Sequence, residues 1–208
     1  MDRAGDVKVI PLLCPDCGSR LLSEEEDVIF VCLSCNASWE LVDGSLAPRE
    51  LRHAEGSGDV LLPFWILPFR VTTREGVVAS RGGFRNLTGA LQSGGGDGED
   101  SPPLLFVPAC NFLSPPQLVR AGRLITLRQP SLSFIERRDV RVEPIVFRED
   151  DARNVGEIIL LSTVTEARKK SFSFLDSFSF HPGKAILCTI PFTRQGAKLF
   201  HAAMNLEL

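Results

Sequence analysis

The chain has 208 residues, with 23 Lys and Arg against 26 Asp and Glu, a formal net charge of −3. Apolar residues make up 44% and charged residues 24%, a globular composition that excludes a disordered tail, a collagen-like repeat and a polybasic nucleic-acid arm. The length suits one ordinary domain plus a small one, and the departures from average are six Cys, fourteen Phe and no Tyr.

The start, Met1-Asp2-Arg3-Ala4-Gly5-Asp6, has neither a basic region nor an apolar core, so no secretory signal is expected. The longest apolar run, 60–69, contains Pro63 and Pro68 and is too short to cross a hydrocarbon layer of about 30 Å. The expectation is a cytoplasmic chain with no transmembrane segment. Thiols stay reduced there, and paired Cys are read as metal ligands before disulfides.

Residues 1–50 hold four clustered Cys and carry a net charge of −6. Cys14-Pro15-Asp16-Cys17 and Cys32-Leu33-Ser34-Cys35 are two Cys-x-x-Cys knuckles. Each aims two sulfurs at one point, and two such knuckles supply the tetrahedral thiolate set that zinc prefers. Cys14, Cys17, Cys32 and Cys35 are therefore the candidate ligands of a structural Zn²⁺. Four thiolates leave no position for water, which argues against a catalytic zinc. Iron in a rubredoxin-like site is the competing reading, since Cys-Pro-x-Cys-Gly also occurs there. Around the knuckles, 20–22 and 28–31 are expected to pair across the polar turn 23–27. Residues 37–42 are expected to form a further strand ending at Asp43-Gly44.

The stretch 10–47 resembles the small zinc-ribbon proteins that activate methyltransferases. Those also run from a Cys-Pro-x-Cys knuckle to a second knuckle and an aromatic strand ending in Asp-Gly. The resemblance implies a ribbon fold with a protein-docking face. It does not extend to the rest of the chain, and it carries over no methyltransferase partner.

Residues 51–60, polar and containing Gly56 and Gly58, read as a linker. Beyond them, 61–208 reads as a β-rich α+β domain. Short β-branched or aromatic runs at 64–73, 104–109, 141–147, 157–165 and 185–192 are expected strands. Pro68, Pro108 and Pro191, each following an apolar residue in such a run, are expected at strand edges, ends or bulges, because Pro cannot donate to a ladder. Arg81-Gly82-Gly83-Phe84-Arg85 reads as a tight turn. The acidic, Gly-rich stretch 92–103 reads as a flexible loop. One helix has clear signals: Ser114 as cap, Pro115 and Pro116 in the first turn, then 117–128. Shorter helices are expected at 149–155 and 195–205. The overall expectation is α+β, mostly β, with an N-terminal four-Cys zinc ribbon.

Other candidates for chemistry are sparse. Cys110 and Cys188 lie in apolar runs and read as core residues. His53, His181 and His201 show no metal-ligand or Cys-His spacing, so no catalytic constellation is expected. Phe172, Phe174, Phe178 and Phe180 alternate with Ser and read as a core strand, with an aromatic binding platform as the alternative. Phe64-Trp65-Ile66-Leu67 is a candidate contact strip or the first core strand. Arg120, Arg123, Arg128, Arg137, Arg138 and Arg141 could form a basic patch, yet residues 51–208 carry only +3. The sequence thus points to a non-catalytic adaptor or accessory subunit with a protein partner in a hetero-oligomer. A nucleic-acid-binding ribbon and an iron redox module are the alternatives.

Overall fold

The computed structural model describes residues 12–89, 99–137, 141–167 and 177–208. The N-terminal unit is a three-stranded antiparallel sheet of β1 (Ile29–Val31), β2 (Ser38–Val42) and β3 (Ser45–Pro48). Asp43 and Gly44, both at positive φ, make the two-residue turn from β2 to β3, as an Asp-Gly pair favours. The expected pairing of 20–22 with 28–31 does not form. Arg20 bridges Leu13, the Leu21 amide donates to the Leu12 carbonyl, and β1 takes β2 instead. Each knuckle closes locally, so the chain entering it pairs with the chain leaving it.

The following segment is not an open linker. Leu51–Ala54 form β4, in which His53 and Ala54 are buried. The polar letters of this stretch conceal a strand whose side chains find partners inside the fold. After it come β5 (Val60–Thr73), β6 (Gly76–Val78), α1 (Arg81–Thr88), β7 (Leu104–Pro108), α2 (Pro115–Arg128), β8 (Phe134–Ile135) and α3 (Glu149–Ala167). The chain ends with β9 (Ser179–Pro182), β10 (Ile186–Gln195), β11 (Lys198–His201) and β12 (Leu206–Glu207). The protein is α+β and mostly strand: a cluster of four cysteines followed by a curled sheet.

The fourteen-residue β5 organises that sheet. On one edge it pairs antiparallel with β10 from Val60 to Ile66, then with β9 from Phe69 to Thr72. On the other it pairs with β7 from Phe64 to Pro68, then with β6 from Val71 to Thr73. Pro68 falls where β10 hands over to β9, and Pro63 lies just before the β7 pairing begins. Each proline therefore occupies a central strand at a position where one edge needs no donor. β10 continues on its far side to β4, running parallel, and to β11.

Side-chain alternation divides the interior in two. Trp65, Leu67, Phe69 and Val71 of β5, with Leu105 and Val107 of β7, face a core closed by α1 and α3. Leu62, Phe64 and Ile66, with Phe106, Cys188, Ile190 and Phe192, face a second core closed by Ile125 of α2 and by Leu206. Each fully buried Leu or Phe contributes about 1.5–3 kcal/mol. The strip Phe64-Trp65-Ile66-Leu67 lies wholly within these cores and presents no surface for contact.

Several expected elements differ. The 157–165 run is helical and completes α3, joining the short helix expected at 149–155. Its buried residues, Ala152, Gly156, Ile159, Leu160, Thr163 and Val164, repeat at helical spacing. Residues 81–85 open α1, capped by the Ser80 hydroxyl, which accepts from the Gly83 amide. The 195–205 stretch is the β11 hairpin, entered through a turn at Gly196, rather than a helix. Residues 141–147 form no regular strand, making only isolated bridges from Val142 to Leu61 and from Ile145 to Ile29. Residues 92–98 of the expected loop and 171–176 of the Phe/Ser run lie outside the described residues. No helix is long and apolar enough to cross a membrane among the described residues.

Candidate metal centre

The two knuckles repeat one backbone device. The Gly18 amide donates to the Cys14 carbonyl and the Asn36 amide to the Cys32 carbonyl, both at 2.8 Å. The Cys14 amide donates to the Ser19 carbonyl and the Cys32 amide to the Ala37 carbonyl, again at 2.8 Å. Gly18 (φ 73°) and Asn36 (φ 65°) hold the left-handed turn that reverses each knuckle, a conformation Gly adopts freely and Asn better than most residues. Sequence reading finds Gly18 but not its counterpart. The offset from Cys32 to Asn36 equals that from Cys14 to Gly18, and this was the available signal.

The four sulfurs converge. All lie within 4.8 Å of one another, with Cys14 Sγ to Cys35 Sγ at 3.5 Å and Cys17 Sγ to Cys32 Sγ at 3.6 Å. A disulfide needs about 2.05 Å. Sulfurs at about 2.3 Å from a tetrahedral ion stand about 3.8 Å apart, so the spacing fits a cation held among them. No disulfide is formed, and the four-cysteine group can hold a metal ion. Cys14 and Cys32 are buried against Leu21, Phe30 and Trp39, while Cys17 and Cys35 reach the surface. Their surroundings pull the two exposed thiols in opposite directions. Cys17 is lowered to about 6, first by the Ser19 hydroxyl and then by the Ser19 amide. Cys35 receives help from the Ala37 amide, yet desolvation and the other sulfurs push it up to about 12. A divalent cation removes that conflict by taking all four as thiolates.

No family model, curated protein or solved structure matches the chain.

A second constellation was not anticipated. Glu40 of β2 is buried, and Arg49 binds its carboxylate through both Nε (2.9 Å) and Nη2. Arg49 also reaches Glu149 at the start of α3 (3.4 Å) and lies over the Trp65 ring, 5.5 Å from its centroid. Arg153 completes the group on Glu149 (2.7 Å), and Arg148 donates to the Leu41 carbonyl (2.8 Å). Trp65 in turn donates its indole N–H to the Phe147 carbonyl (2.8 Å). These contacts fasten the ribbon to the large sheet. Ile29 joins the same core as Trp65, and Asp27 accepts from the Ile145 amide (3.1 Å).

The remaining candidates are occupied structurally. Cys110 is buried and pushed up to about 12 by desolvation, with Glu143 adding to it, and burial also raises Cys188. His53 is 3% exposed and shares a 2.8 Å hydrogen bond between Nδ1 and the Thr189 hydroxyl. Arg128 donates to the Met204, Asn205 and Leu124 carbonyls and pins the C-terminal hairpin. Arg123 pairs with Glu166, and Arg141 with Glu24. Two of these arginines thus neutralise carboxylates and a third ties down a hairpin, which argues against their acting as one basic patch; Arg138 lies outside the described residues.

Proposed function

We propose that this chain is a non-catalytic adaptor or accessory subunit of a protein assembly, with a structural zinc ion in the Cys14, Cys17, Cys32, Cys35 site. The observation that carries the reading is the fastening of the ribbon to the body through Glu40, Arg49, Glu149 and Trp65. A metal that shapes the ribbon thereby shapes one continuous surface with the sheet domain, which suits presentation to a partner. An all-thiolate set supports a structural role, because every coordination position is filled by protein. The resemblance of 10–47 to methyltransferase-activating ribbons is consistent with a docking face on that unit. The buried state of Cys110, Cys188 and His53 agrees with a role that uses none of them as nucleophile or base.

Elemental analysis and native copurification test the two halves together. The expected result is about one zinc per colourless chain, recovered in a stoichiometric complex with another protein under native conditions. A red protein with thiolate-to-iron absorption would move the reading to a redox module. A solitary monomer from the native host would overturn the accessory-subunit reading. Salt-dependent retardation of labelled RNA or DNA would favour nucleic-acid binding instead.

A further inference from the structure

β1 is an edge strand of the ribbon sheet, and its outer side meets residues 141–145 at one end only. Ile29 bridges Ile145, and the Val28 amide donates to the Ile145 carbonyl (2.9 Å). Beyond that bridge the two segments diverge. Val142 bridges Leu61, and the Glu143 amide turns to the Leu61 carbonyl (3.0 Å), so residues 142–143 follow the large sheet and leave β1 behind. The result is a wedge of about 430 Å³ between Val31 and Leu33 on one side and residues 141–145 on the other.

Register shows what the wedge offers. Cys32 donates to Ala37 and Leu41 donates to the Val28 carbonyl, so the Val28 carbonyl and the backbones of Phe30 and Cys32 face β2, while the Val28 amide faces Ile145. Val31 turns its amide and carbonyl the other way, into the wedge, where no hydrogen bond reaches them among the described residues. Leu22 at the mouth is 64% exposed and Leu33 is 40% exposed, both lining the same space. An open strand edge beside apolar side chains is the arrangement by which sheets accept an added strand. The walls carry Glu24, Asp27 and Glu143, and Glu25 and Glu26 continue the acidic turn; Arg141 pairs with Glu24 and Arg194 with Glu143, so these five carboxylates still outnumber the two cations.

We propose that this wedge binds an extended segment of a protein partner, with apolar residues at alternate positions and Lys or Arg between or beside them, as a strand added to β1. The proposal rests on the adaptor reading and names the surface through which that reading operates. Backbone pairing at Val31 supplies the alignment, Leu22 and Leu33 receive the apolar side chains, and the acidic walls select the basic ones.

The test is selection of random 12-residue displayed peptides on the metal-loaded full chain, followed by binding measurements with the enriched peptides. Enriched sequences should be basic with alternating apolar residues. Binding should weaken about tenfold or more in Leu22→Glu and in Glu24→Lys, both exposed positions outside the knuckles, with metal content unchanged. Hydrogen exchange of the Val31 amide should slow on binding. Acidic or patternless selections, or binding that leaves Val31 exchange unchanged, would overturn the proposal. So would binding seen only after removal of residues 1–11, because the chain itself would then be the occupant. A native complex that assembles unchanged with Leu22→Glu would remove this groove and leave the adaptor reading standing. A chain that selects such peptides but has no native partner would do the reverse.

Discussion

Gly122 shows how a single residue can serve packing at the expense of its own helix. In isolation it weakens α2 by about 1 kcal/mol relative to Ala. A Cβ placed there would lie 2.5 Å from Ile159 Cδ1 and 2.8 Å from the Phe106 carbonyl oxygen, and the latter is backbone that cannot swing aside. Gly122→Ala should therefore destabilise the protein by about 1–3 kcal/mol despite the better helix former, read as a lower urea midpoint. His53 yields a second prediction. Burial lowers its pKa below the ordinary 6.5, with Arg137 adding to the effect. Burial lowers His201 as well. The unfolded chain then binds protons that the folded chain resists, so stability is complete above about pH 6.5 and falls as the pH drops toward the folded values. Urea midpoints between pH 7.5 and 5 should decline, and less steeply in His53→Gln. At this scale the sequence was legible where chemistry is local. The four-cysteine group and the Gly18 turn are written in their own spacing, whereas Glu40 and Arg49 became a pair only when β2 and the chain after β3 met.

At the scale of elements, short apolar runs were the ambiguous ones. The 157–165 stretch is β-branched and continuous, so it reads as a strand, yet its inward positions follow the helical repeat begun at Ala152. Ile158, 57% exposed, blurred that repeat by placing an apolar letter on the outer face. The β11 hairpin was missed for the opposite reason, because its strands are short and take their order from β10. The join between ribbon and sheet was invisible, since residues 51–60 look like a linker until β4 pairs with β10. That join makes a prediction. Arg49→Ala leaves the buried Glu40 carboxylate without the arginine that donates twice to its Oε2, and Arg148, 3.9 Å from Oε1, is too distant to replace that partner. The loss should be about 3 kcal/mol by denaturant unfolding, and Glu40→Gln in the same background should recover part of it. Full additivity of the two changes would show that the pair is not coupled.

For the whole molecule, the question is whether the metal ligands govern only the ribbon or also the body. A unit of about forty residues, with five buried core residues of its own, has little to hold it without a cation. With structural zinc in the site, as proposed, binding would contribute about 10–16 kcal/mol to folding, so chelation of that ion should unfold β1, β2 and β3. The body keeps most of both cores, and β5 with its four partner strands takes from the ribbon Ile29, the partly buried Val28 and Val31, and the Arg49 cover on Trp65. What the body loses is the cover that Arg49 gives Trp65 and Glu149, and the Ile29 and Asp27 contacts on residue 145. Chelation should therefore split one thermal transition into two. Hydrogen exchange should rise throughout the ribbon and, to a smaller degree, at 141–147 and the first turn of α3, while β5 and β10 stay protected. Adding back one equivalent of zinc should restore a single transition. Uniform loss of protection across β5 and β10 would mean that the ribbon is part of the central folding unit. No change at 141–147 would mean that the junction does not transmit the state of the metal site.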